Sequence, residues 1–116
     1  MHIVDQAAKE RILKSLADPE ALSILTCMRT TSKSAQQIST ETGIPLSTIY
    51  RKLEDLRVAG LAMTERFTFN AGRKVDFMIS SFHEIRVKLE SNEVELEVIP
   101  SNETASLRWL NLFRDG

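Results

Sequence analysis

Side chains able to do covalent or acid–base chemistry are few and scattered along this 116-residue chain. Nucleophilic catalysis would need a cysteine or serine beside a base, and a metal would need His, Cys or carboxylate ligands at close spacing. The single cysteine, Cys27, lies inside the apolar run ALSILTCM, where a small buried side chain is expected, and it has no second cysteine with which to form an internal disulfide. His2 and His83 are far apart, and neither has a cluster of ligands beside it. With no carboxylate pair, nucleophile with base or phosphate loop, the chain reads as a non-enzyme that needs no cofactor and holds no metal of its own.

The remaining chemistry is that of charge. The formal net charge is only −1, but the distribution is uneven. From Lys33 to Lys74 there are seven basic residues, Lys33, Arg51, Lys52, Arg57, Arg66, Arg73 and Lys74, against the four acids Glu41, Glu54, Asp55 and Glu65. From Glu84 to Gly116 the balance reverses, with four basic residues and seven acidic ones. If the fold holds these segments apart, one face can approach a polyanion while another repels it.

These charges must be positioned by a core, and 42% hydrophobic residues with only four Gly and three Pro suffice for one compact domain. Apolar runs are short and interrupted by charge, and the opening MHIVDQAAKERILK carries acids unlike a secretory signal. A cytoplasmic protein without membrane contact is expected.

Val4, Ala7, Ala8, Ile12 and Leu16 recur at helical spacing. Asp18 and Pro19 form an N-cap and first-turn pair, predicting a second helix from Pro19 to about Arg29 that buries Leu22, Ile24, Leu25 and Met28. Ser34 with Gln37 is a capping box that opens a third helix, and Gly43 closes it. Ile44 and Pro45 lead directly into LSTIYRKLEDLRVAG, where Leu46, Ile49, Leu53 and Leu56 define one buried stripe. Two helices joined so tightly, with a small Ala35 and Ile38 on the first, form a helix-turn-helix pattern.

After Gly60 the period changes from helical to two. LAMTERFTF places Leu61, Met63 and Phe67 on one face, Asn70, Ala71 and Gly72 form a turn, and RKVDFMIS returns with Val75, Phe77 and Ile79 together. A helix-turn-helix followed by such a hairpin is a winged helix. A second hairpin turning at Ser91 and Asn92 would pair Leu89 with Val94, Val87 with Leu96, Ile85 with Val98, Lys88 with Glu95 and Arg86 with Glu97. Pro100 ends that strand, and NETASLRWLNLF reads as a last helix with too many apolar residues for one narrow stripe. Leu107, Trp109, Leu110 and Phe113 are therefore expected to contribute to a homodimer interface. The expected class is α+β, with a winged helix-turn-helix over residues 1–82 and an appended hairpin and helix over 83–116 packed on it.

LADPEALSILTCM, then AQQISTETGIPLSTIYRKLEDLRVAGL, then the hairpin containing AGRKVDF resemble the ArsR-type winged helix-turn-helix regulators, especially their archaeal branch, over about Ile12 to Ile79. The most specific part is STIYRKLEDLRVAGL, which is similar to the family's recognition helix and its exit to the wing. The resemblance implies a dimeric transcriptional regulator that binds operator DNA. The cysteine pair of metal-sensing members is missing from Ala35 to Thr42, so the resemblance assigns no effector.

With Ile49, Leu53 and Leu56 buried, the other side of the fourth helix offers its residues to double-stranded DNA. Ser47, Thr48 and Arg51 are the expected base readers, Tyr50 and Lys52 mixed base or phosphate contacts, and Ser34 and Gln36 phosphate contacts. Asn70, Arg73 and Lys74 would put the wing on the backbone or in a minor groove. The competing reading is a winged helix that binds proteins and no DNA. It predicts that Arg51 and Lys52 are neutralised by neighbouring acids. The exposed pair Phe67 and Phe69 suits either wing packing or a surface for another protein.

Overall fold

The computed structural model describes residues 1–112, so Phe113, one of the expected dimer residues, lies outside the described residues. A two-residue strand β1 (His2–Ile3) precedes helix α1 (Gln6–Leu16). Val4, expected inside that helix, is instead 86% exposed in the link before it, because the Asp5 carboxylate accepts the Ala8 N–H at 2.9 Å and starts the helix at Gln6. Helix α2 (Pro19–Cys27) begins as its sequence dictates, with Asp18 accepting from the Glu20 amide at 3.1 Å and Pro19 in the first turn. It stops two residues short of Arg29, and Leu22 is exposed. Cys27 is only half-buried, its thiol 3.6 Å from a Glu41 carboxylate oxygen.

Helix α3 (Ala35–Thr42) opens on the capping box: Ser34 Oγ accepts the Gln37 N–H at 3.2 Å, and Gln37 Oε1 accepts the Ser34 N–H at 2.9 Å. It closes at Gly43, whose φ of 77° is open to glycine at little cost. Helix α4 (Leu46–Val58) follows at once. Then come the hairpin β2 (Ala62–Asn70) and β3 (Arg73–Ser80), the hairpin β4 (Phe82–Glu90) and β5 (Glu93–Pro100), and helix α5 (Glu103–Leu112).

The β2–β3 pair is a separate antiparallel ribbon. Lys33, just before α3, adds a short bridge to it, its N–H and C=O bonding Met78 at 2.9 and 2.8 Å. The turn consists of Ala71 and Gly72 alone, since Asn70 pairs with Arg73 as the last residue of its strand. A bulge between Thr64 and Arg66 alters the facing of β2. Past it, Phe67 lies opposite Asp76 and shares a face with Thr64 and Met78, while Met63 stays on the face of Ile79. The expected sharing of a face by Met63 and Phe67 is thus undone by one extra residue.

The second hairpin adopts the register its sequence predicts: Ile85 opposite Val98, Arg86 opposite Glu97, Val87 opposite Leu96, Lys88 opposite Glu95 and Leu89 opposite Val94. β1 adds to the far side of β5, giving the order β1-β5-β4. The buried cluster runs through the whole described chain, joining Ile12, Ile24, Met28, Ile38, Ile49 and Leu56 from the helices to Ile3, Leu96, Val98 and Trp109.

Trp109 corrects an expectation. It is 1% exposed, and its indole N–H donates to the Ser81 carbonyl at 3.2 Å, so it anchors α5 inside its own chain and presents no surface to a second copy. Leu107 and Leu110 of the same helix are exposed. The close approach of α5 requires Gly60 (φ 83°): a Cβ there would stand 2.5 Å from Leu112 Cδ2 and 3.0 Å from the Trp109 ring. The Ser81 hydroxyl donates to the Gly60 carbonyl across the same junction.

Candidate nucleic-acid interface

The turn between α3 and α4 is tied by its own side chains. Ser39 Oγ donates to the Ile44 carbonyl at 2.7 Å, Thr42 Oγ1 donates to the Ile38 carbonyl at 2.7 Å, and the Ile44 N–H donates to Thr42 Oγ1 at 3.2 Å. Ile44, Ile49, Leu53 and Leu56 are buried beneath this turn, which fixes the rotation of α4 about its axis. Pro45 precedes the helix and no side chain caps it, so the first-turn N–H groups have no side-chain acceptor.

That rotation turns Ser47, Tyr50 and Arg51 outward, with Tyr50 60% exposed, while Thr48 is half-buried. The three cations of α4 then differ sharply. Arg57 forms a paired fork with Glu54, at 2.5 and 2.9 Å, and the guanidinium holds the Glu54 carboxyl below its ordinary pKa. Lys52, expected to contact DNA, is instead drawn into the protein. Its ammonium donates to the Asp18 carboxylate and lies 3.5 Å from Glu20, leaving its side chain 13% exposed. The Lys52 hydrogen bond lowers the Asp18 pKa, and Asp18 raises that of Lys52, so both stay charged and mutually neutralised across neutral pH. Arg51 alone has no ion pair among the described residues and points to solvent.

Ser34 is 7% exposed, its hydroxyl oxygen accepting the Gln37 N–H and its amide donating to Gln37 Oε1 in the capping box, so of the expected phosphate contact only its O–H remains to donate. Gln36, one turn position on, is exposed. A cleft of about 320 Å³ between the helices and the wing brings Gln36, Tyr50, Arg57, Lys74 and Asp76 together.

On the wing, Asn70, Arg73 and Lys74 are exposed near the tip. Lys74 lies 3.6 Å from Asp76, with its ammonium 4.8 Å from the centre of the Phe67 ring. Phe67 and Phe69 meet edge to face at 5.9 Å and remain 54% and 69% exposed. Arg66 lies 3.8 Å above Phe77 on the opposite face. Both cation–ring contacts follow from the bulge, which no alternation in the sequence reveals. From Arg66 to its register partner Phe77 the outer wing carries three cations and one acid, Asp76.

Elsewhere the titratable groups form local pairs. Lys33 binds Glu41 at 2.7 Å and lowers its pKa, while burial raises that of Cys27. Among the described residues no three His, Cys, Asp or Glu side chains converge as a metal site, and no helix is long and apolar enough to cross a membrane.

The arrangement is a winged helix: a helix-turn-helix whose second helix is followed directly by a β-hairpin wing. Residues 21–65, from α2 through the turn into β2, match the IclR helix-turn-helix domain, a stretch shorter than half the chain. No curated protein matches the chain. Among solved structures, HlyU from Vibrio cholerae is similar at 18% identity over 94% of this chain and 95% of that one, with a TM-score of 0.44. The homodimeric winged helix-turn-helix DNA-binding domain of Mb0332 from Mycobacterium bovis, a possible ArsR-family transcriptional regulator, is similar at 21% identity over 90% and 75%, with a TM-score of 0.47. NolR from Sinorhizobium fredii is similar at 11% identity over the whole of both chains, with a TM-score of 0.46.

Proposed function

We propose that this protein is a sequence-specific transcriptional regulator that binds double-stranded DNA as a homodimer, in the manner of the ArsR-type regulators its sequence resembles. Helix α4 enters the major groove, where Ser47, Thr48 and Arg51 read base edges and Tyr50 flanks them. Gln36 contacts phosphate, and Asn70, Arg73 and Lys74 bring the wing to the backbone or a minor groove. The observation that carries this reading is the state of Arg51. It is exposed on the outward side of a buried, rotationally fixed helix, without the internal partner that Lys52 and Arg57 each have. An unpaired guanidinium in that place is suited to the acceptor pair of a guanine.

The internal neutralisation of Lys52 favours a second reading, a winged helix that binds protein, since it removes one cation from the recognition face. Selection of bound sequences from a random DNA pool separates the two. Enrichment of an inverted repeat with half-sites about one helical turn apart supports the DNA reading. Absence of DNA binding at low salt overturns it. In a protein that binds, Arg51→Ala is expected to weaken cognate binding by about 1–3 kcal/mol and relax preference at one base position. Equal loss on cognate and random DNA would remove Arg51 as a reader.

A further inference from the structure

The surface that joins two copies is a question separate from DNA contact, and the second hairpin bears on it. β4 is the outer strand of the order β1-β5-β4, and among the described residues nothing pairs with its free edge. Ile85, Val87 and Leu89 share the face of Leu96 and Val98. Toward the base of the hairpin that face is covered, with Leu96 and Val98 buried and Ile85 half-buried. Toward the tip its β4 half is bare, Val87 being 53% and Leu89 79% exposed, while Val94 on β5 opposite Leu89 is half-buried against the core. A nine-residue free edge beside a bare apolar face is a template for another strand.

We infer that the free edge of β4 pairs antiparallel with β4 of a second copy, about a two-fold axis through Arg86. This rests on the two-copy part of the reading above and specifies its interface. The register follows from the charges on the other face of the strand, which run Glu84, Arg86, Lys88, Glu90, together with the length of regular strand that pairs, since an axis through Ile85 or Leu89 also opposes unlike charges but over a shorter stretch. An axis through Val87 sets Arg86 against the partner's Lys88 and Glu84 against the partner's Glu90, all like charges, and like charges directly opposite are destabilising. An axis through Arg86 sets Glu84 against the partner's Lys88 twice over, and Ile85 against the partner's Val87 twice over. The two Arg86 side chains that meet at its centre arrive already neutralised, each by Glu84 at 2.6 Å and Glu97 at 3.2 Å. An axis through Lys88 also gives two opposite-charge pairs. It brings together two lysines with a single carboxylate each, Glu90 at 2.9 Å, and runs the remaining overlap into the Ser91 and Asn92 turn. The Arg86 register pairs the regular stretch from Glu84 to Lys88, inside the bulge between Phe82 and Glu84, and sets Val87 beside the partner's half-buried Ile85. The two three-stranded sheets become one of six strands.

Sedimentation equilibrium of the full chain tests this by charge exchange. Lys88→Glu and Glu84→Lys are each expected to raise the dimer dissociation constant roughly tenfold, because two opposed pairs turn repulsive. The double variant Glu84→Lys/Lys88→Glu is expected to associate more tightly than either single variant while stopping short of the original value, because Arg86 loses its Glu84 partner. Thermal unfolding of the dilute variants reports whether each chain is folded, and the rescue in the double variant reads pairing even if one single variant folds poorly. An unchanged dimer in both single variants, failure of the double variant to recover, or a wild-type chain that stays monomeric at high concentration overturns the inference. So does a dimer that Leu107→Asp/Leu110→Asp dissociates while Lys88→Glu does not, which would put the interface on α5. None of these results bears on DNA contact by a single copy, which a gel shift with one half-site reads independently.

Discussion

The β2–β3 and β4–β5 hairpins are each closed by two residues of positive φ, Ala71 at 52° and Gly72 at 78° in the first, Ser91 at 51° and Asn92 at 65° in the second. Two-residue turns of this kind match the right-handed twist of the strands they join. Beyond the turns the hairpins diverge. The outer part of the first holds Arg66, Arg73 and Lys74 against the single acid Asp76, and exposes the two aromatic rings of Phe67 and Phe69. The second, from Glu84 to Glu97, holds five acids against Arg86 and Lys88, and its exposed apolar side chains are aliphatic. One backbone device therefore supports two opposite surfaces, and only the first suits a polyanion.

The largest expected effect falls where the two hairpins join. Ser81 is the single residue between β3 and β4, and its carbonyl accepts the buried Trp109 N–H. Trp109→Ala is expected to cost about 3–5 kcal/mol in denaturant unfolding, through lost burial and a cavity. Hydrogen exchange should then rise in both hairpins together. Loss of protection in β4–β5 alone would show that they are stabilised independently. A smaller effect concerns charge: Lys74→Ala should lower the salt dependence of DNA binding by about one counterion, weakening all sequences alike, whereas Glu95→Gln should leave that slope unchanged. Equal changes in both variants would erase the distinction between the hairpins. The smallest is in the turns. Ala71→Gly should raise stability by about 0.5–1 kcal/mol in thermal unfolding, since alanine is strained at positive φ. Asn92→Gly should change stability less, because asparagine tolerates that conformation.

The same pair shows what a sequence makes legible. In β4–β5 the apolar and charged positions alternate without interruption through the paired stretch from Ile85 to Val98, so a one-residue slip would set apolar side chains against charged ones and the register is unambiguous. In β2 the extra residue at the bulge carries no signature of its own, so strict alternation places Phe67 on the face opposite to the one it occupies. The helices show the same division. The capping box, the Asp18 and Pro19 start and the Gly43 stop are local, and each appears where its residues stand. Lys52 looked like a solvent-facing cation because its partner Asp18 is 34 positions away, a relation that only packing creates. Trp109 follows the same rule: an excess of apolar residues on a short helix does not say which one turns in. β1, two residues long, offers no periodicity at all.

Gly60 has a mechanical consequence. Because no methyl group fits between it and α5, the tail helix and the root of the wing share one bearing surface with no slack. A load carried by α5 therefore bears on the junction between α4 and β2, the one place where the helical part and the first hairpin meet in sequence.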